Sequence, residues 1–142
     1  MSTLSPAVHL LFPLVAGETR LVIPLEETVL SAALKPASDR SQRLIVFVHG
    51  AASNASRWEE FVDTTALSQR WTLVRFDLRG HGASPARRPG RLENYADDIA
   101  AVIGAAGAHG PIVVVGHSLG AAAALVSVSY THLRAHETSQ DL

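Results

Sequence analysis

Three short apolar runs constrain this chain more than any other feature: LIVFV at residues 44–48, WTLVRF at 71–76 and IVVV at 112–115. Each is too short for a helix and rich in branched or aromatic side chains, the composition of strands buried on both faces. Between them the spacing turns helical. In 56–68, Trp58, Phe61, Val62 and Leu67 recur at near-helical intervals. In 92–106, Leu92, Tyr95, Ile99, Val102 and Ile103 share one face, with Asp97 and Asp98 off it, and Gly110-Pro111 ends the pattern. Strands that alternate with helices imply a parallel sheet with right-handed crossovers. Upstream, 9–15 and 28–34 read as two more strands, with Gly17, Glu26 and Glu27 in the turns, forming an antiparallel edge.

In such a sheet, functional loops gather at the carboxyl ends of the strands. The three runs end in His49-Gly50, in the loop 77–84 and in 116–120, so these segments are expected to meet at one sheet edge.

The last of them, Gly116-His117-Ser118-Leu119-Gly120, has the G-x-S-x-G form. A buried strand precedes it and an alanine-rich helical stretch follows, the context in which the pattern has a mechanism. Turning from strand to helix within about two residues strains the backbone at the serine and drives its hydroxyl out of the sheet edge. Side chains two before and two after the serine would collide, hence glycine at 116 and 120. Ser118 also stands at a helix N-terminus, so the Leu119 amide points toward an oxyanion formed on an attacked carbonyl. A second donor is expected from the Ala51 amide, directly after His49-Gly50.

Other candidates carry structural expectations. Asp77 and Arg79 are expected to pin the loop 77–84 by internal hydrogen bonds. His117 is expected to pack or hydrogen-bond beneath the turn. Trp58 is a core residue or a pocket-entrance residue, and the Arg87, Arg88 and Arg91 cluster is a solvated loop or a carboxylate-binding patch.

Composition narrows the classes. The formal net charge is −1 and no basic stripe is present, which argues against nucleic-acid binding. There is no cysteine, so neither a disulfide framework nor a thiolate metal site is available. No apolar run approaches the ~20 residues of a membrane-spanning helix. No metal site is expected, a cytoplasmic location is the default, and oligomeric state is left open.

Taken together, LIVFVHG at 44–50, FDLRGHGAS at 76–84 and VGHSLG at 115–120 resemble, in order and spacing, the front-half motifs of the α/β-hydrolase superfamily. The resemblance covers roughly residues 8–127. It implies an α/β fold: the N-terminal part of an α/β-hydrolase domain, its sheet mostly parallel with antiparallel N-terminal edge strands, ending after the nucleophile elbow. It further implies a Ser–acid–His triad with Ser118 as nucleophile, an oxyanion hole, no cofactor, and a small-molecule ester, lactone or related carbonyl substrate. Serine in the elbow sets the chain apart from epoxide hydrolase and haloalkane dehalogenase branches, which resemble this pattern but carry aspartate there. In this superfamily the triad histidine comes last in the chain, so His49 and His81 are read as shaping their loops rather than as carriers of a proton, with Gly50 as loop support beside His49. The alternative reading is a non-catalytic ligand-binding or sensor protein of the same fold.

Beyond Ser127 the composition shifts abruptly. The string VSYTHLRAHET at 128–138 resembles a translated sequencing adapter from transposase-based library preparation, and 139–142 fit its continuation. Residues 1–127 are therefore expected to be a partial hydrolase domain and 128–142 a non-native tail. His132, His136, Glu137 and Asp141 follow Ser118 in that string. A continuing helix would carry His132 roughly 20 Å from Ser118, far beyond the ~3 Å reach of a general base. No triad acid or base is assigned, and the chain by itself is expected to be inactive.

Overall fold

A computed structural model of the chain describes residues 4–131. Five strands form one sheet: β1 (Thr19–Pro24), β2 (Val29–Lys35), β3 (Leu44–Val48), β4 (Thr72–Phe76) and β5 (Ile112–Gly116). The spatial order is β1-β2-β4-β3-β5. β3 is flanked by β4 and β5, both parallel to it, with Val46 opposite Val74 and Val114. β2 runs antiparallel to β4, and β1 antiparallel to β2. This is the mixed α/β sheet that the alternating pattern predicts, with its antiparallel pair at the N-terminal edge.

The period of two along β3 divides the core. Leu44, Val46 and Val48 face α2 (Leu92–Ala106) and α3 (Leu119–Thr131), where Ile99, Val102, Ala123 and Ala124 are buried with them. Ile45 and Phe47 face the other way, onto Val62 of α1 (Glu59–Thr64), Leu73, Trp58 and Trp71. Each buried Val, Leu, Ile or Phe side chain among them contributes about 1.5–3 kcal/mol. α2 closes on Gly107 at φ +67°, a left-handed C-cap that glycine adopts without strain.

Three expectations are corrected. Residues 9–15 are not a strand. Val8–Leu10 is a 3-10 turn, and the carbonyls of Phe12 and Pro13 accept from the side chains of Arg20 and Arg75 instead of from a ladder. Pro13 has no amide to offer a neighbouring strand. The first strand is Thr19–Pro24, a half-exposed edge strand whose pattern is weakly alternating. The helical stretch 56–68 is broken into a 3-10 turn at Ala55–Trp58, α1, and a second 3-10 turn at Ala66–Gln69. Thr65 interrupts it with extended backbone and a side chain that accepts from the Leu67 amide, the local competition by which threonine disfavours helix interiors. Asp98, placed off the apolar face of its helix, is fully buried. It accepts from Arg79 Nε (2.9 Å), Arg79 Nη2 (2.7 Å) and the Arg79 amide (2.9 Å). A carboxylate reaches the interior because its partner arrives with it.

α3 runs past Ser127, which is buried together with Val128. Residues 132–142 of the proposed tail, with His132, His136, Glu137 and Asp141, lie outside the described residues.

Candidate active site

The carboxyl ends of β3, β4 and β5 bring their loops together. β5 ends at Gly116 and α3 begins at Leu119, leaving only His117 and Ser118 to make the turn. Ser118 holds φ +56°, a left-handed conformation that costs a non-glycine residue about 1–2 kcal/mol. Its carbonyl accepts from the amides of Ala121 and Ala122, which starts α3. Its side chain is exposed. A Cβ on Gly116 would stand 2.5 Å from the Gly120 carbonyl oxygen, the collision across the turn that the sequence predicts. At Gly120 the obstacle is different: a Cβ there would stand 2.4 Å from the Val48 carbonyl oxygen and 2.6 Å from that of His49. Glycine at 120 therefore lets α3 lie against the end of β3.

The β3 loop comes in beside this turn. The His117 amide donates to the Val48 carbonyl (3.1 Å), and a Cβ placed on Gly50 would lie 3.3 Å from Ser118 Cβ. Ala51 follows, exposed. Neither the Ala51 nor the Leu119 amide donates to a backbone carbonyl among the described residues.

His49 is fully buried under this loop. Its Nε2 lies 3.0 Å from the Leu78 amide and its Nδ1 2.7 Å from the Gly50 carbonyl. An amide can only donate, so Nε2 carries the lone pair and Nδ1 the proton. Burial lowers the His49 pKa to about 4, against the Gly50 carbonyl bond and assisted by the nearby His81, which keeps the ring neutral. Both ring nitrogens are thus engaged: Nε2 joins the β3 loop to the β4 loop, and Nδ1 holds the β3 loop to itself through Gly50. His81 packs on His49 with the rings tilted by 56° and their centroids 5.0 Å apart, and its Nδ1 lies 3.0 Å from the Arg79 carbonyl.

The β4 loop is pinned as expected at Asp77 and more widely than expected elsewhere. Asp77 Oδ1 accepts from the Ala55 amide (2.7 Å) and Oδ2 from the Ala83 amide (2.9 Å). Burial pushes this carboxyl above its usual range, and those two amide bonds oppose the shift. Arg79 reaches out of its own loop to Asp98 on α2. Ser84, a residue that sequence reasoning gave no role, donates to the Asp77 carbonyl (2.7 Å) and accepts from the Ser31 amide (2.9 Å). Arg75, buried on β4, bonds both Glu18 oxygens, the Pro13 carbonyl and the Ala55 carbonyl. An arginine in the run WTLVRF was the available signal for that hub.

His117 does not lie beneath the turn. It is exposed, and its Nε2 stands 3.4 Å from Arg57 Nη2. The space beneath is taken by Gly120 against the β3 carbonyls, so the ring is left outside. Trp58 is half-buried on Phe47, ring centroids 5.2 Å apart, a core contact. Arg88 pairs with Glu27 at 2.9 Å on the surface. Among the described residues no group of three or more His, Asp or Glu side chains is placed to hold a metal ion, and no helix is long and apolar enough to cross a membrane.

Known proteins are similar to this chain in sequence and in fold. The 2-(acetamidomethylene)succinate hydrolase of Mesorhizobium japonicum is 44% identical over 79 residues, 55% of this chain and 27% of that protein. Protein phosphatase methylesterase 1 of Bos taurus is 32% identical over 92 residues, 61% of this chain and 24% of that protein. The crystal structure of an E-2-(acetamidomethylene)succinate hydrolase superposes with a TM-score of 0.67 at 32% identity, covering 80% of this chain and 40% of that one. The matches thus span about a quarter of those curated relatives and two-fifths of that solved chain. Residues 45–136 match the model of the Alpha/beta hydrolase family, and the chain belongs to that family.

Proposed function

We propose that the protein is a serine hydrolase of small carboxylic esters, lactones or related carbonyl compounds, with Ser118 as its nucleophile. The observation that carries the reading is Ser118 itself: an exposed hydroxyl on a left-handed turn, flanked by two amides without backbone acceptors. Strain of this kind, kept where an alanine-rich helix could start without it, is characteristic of functional positions. The relatives named hydrolase and methylesterase agree with it.

In this reading Ser118 Oγ attacks the carbonyl carbon and its proton passes to a general base. The amides of Ala51 and Leu119 receive the negative oxygen. The ester C–O bond breaks, the alcohol leaves with the proton, and water then cleaves the acyl-enzyme to a carboxylic acid. His49 is not the base, because its Nε2 already accepts from the Leu78 amide and its Nδ1 is bound to the Gly50 carbonyl. We assign neither base nor acid among the described residues and place both in the remainder of the full-length protein. The 142-residue chain by itself is then inactive.

The test is a fluorophosphonate probe on the full-length protein, with the adduct mapped by mass spectrometry. An adduct on Ser118, lost in Ser118→Ala together with p-nitrophenyl ester hydrolysis, supports the assignment. Hydrolysis that survives Ser118→Ala, or an adduct on another serine, removes it. A protein that binds esters without reacting is the ligand-binding alternative.

A further inference from the structure

Arg57 is an exposed cation with no carboxylate in ion-pair reach among the described residues. Its Nη2 lies 3.4 Å from Nε2 of His117, the residue immediately before Ser118. Arginine can only donate, so this contact engages the His117 lone pair and leaves the other guanidinium N–H groups for a ligand. The turn beneath Arg57 is unusually well held. The Ala55 amide donates to Asp77 Oδ1 (2.7 Å) and the Ala55 carbonyl accepts from Arg75 (3.1 Å). The Asn54 side chain caps the turn through the Ser56 amide (2.8 Å), and Trp58 anchors its far end on Phe47. Two buried charged residues thus fix the backbone of a turn whose exposed arginine stands at the rim of the candidate site.

We propose that Arg57 is a specificity-determining residue, binding a carboxylate on the acyl part of the substrate and selecting esters of dicarboxylic half-acids over neutral esters. The proposal rests on the hydrolase reading of Ser118. A planar guanidinium matches a carboxylate bidentately, a geometry lysine cannot reproduce. Its tethered backbone removes the main-chain share of the ordering cost of binding and leaves only that of the side chain.

The experiment compares mono-p-nitrophenyl succinate with p-nitrophenyl butyrate in the full-length protein, using kcat/KM for each. The wild type is expected to favour the succinyl ester. In Arg57→Ala the succinyl-to-butyryl ratio should fall about tenfold or more, through KM. Arg57→Lys should recover part of it, and the wild-type preference should shrink with added salt. An unchanged ratio in Arg57→Ala overturns the proposal, as does a wild type that favours butyrate. Ser118→Ala separates the two ideas: loss of both activities leaves the hydrolase reading standing whatever Arg57 does, whereas activity that survives it ends both.

Discussion

His49 Nε2 accepts the Leu78 amide at 3.0 Å, a bond that spans two parallel strands and ties together the loops on either side of the candidate site. The bond needs a neutral imidazole. The His49 pKa is lowered to about 4 from 6.5, chiefly by burial. Between those values the unfolded chain binds more protons than the folded one, so stability is complete above about pH 6.5 and is lost as pH falls toward 4. The full contribution is on the order of 3 kcal/mol. Urea unfolding at pH 7.5, 5.5 and 4.5 should show this loss, and His49→Gln should show a shallower pH slope. Equal slopes would remove His49 from the account.

Two glycines should respond in opposite directions to alanine. At 120 the new Cβ meets the Val48 carbonyl oxygen at 2.4 Å, so Gly120→Ala should cost about 2–3 kcal/mol as α3 is forced off β3. At 104, inside α2, nothing lies within 4 Å of a Cβ. Gly104→Ala should stabilise by about 0.5–1 kcal/mol through helix propensity. Thermal unfolding of both variants checks the pair, and a neutral Gly120→Ala would mean the contact between β3 and α3 yields more easily than its geometry indicates.

Asp98→Ala should cost about 3–5 kcal/mol, because it leaves the Arg79 guanidinium buried without its carboxylate. Arg79→Met combined with Asp98→Leu should be milder than Asp98→Ala alone, since no charge is then stranded. A double-mutant cycle on urea midpoints measures the coupling. Strictly additive losses would show that the pair is not energetically linked.

Ser118 offers a test of stored strain. Ser118→Gly and Ser118→Ala both remove the hydroxyl, but only glycine relaxes at φ +56°. The glycine variant should be more stable than the alanine variant by about 1 kcal/mol. Equal stabilities would mean that the left-handed turn carries no strain at this position.

Much of this was legible in the chain because the signals were local. LIVFV at 44–48 and the apolar stripe of 92–106 became β3 and α2 with those bounds, since periodicity and flanking residues act within a few positions. The turn at Ser118 was legible for the same reason. What was not legible depended on partners distant in sequence. Asp98 reads as a surface acid until Arg79, 19 residues away, is brought to it. The segment 9–15 has the composition of a strand, yet its carbonyls are claimed by Arg20 and by Arg75, 62 residues from Pro13. His117 lies outside the turn because Gly120 fills the space below, a fact of packing between α3 and β3 rather than of local pattern.

β5 pairs with β3 alone among the described residues, so the strand that leads into Ser118 has a second side open to pairing. Any strand added parallel there would run about 4.8 Å from β5. Its carboxyl end would emerge opposite the β3 loop, with Ser118 between them. The sheet therefore presents Ser118 at a seam: Gly50 and Ala51 are on one bank, and the opposite bank is built by whatever backbone next joins the edge.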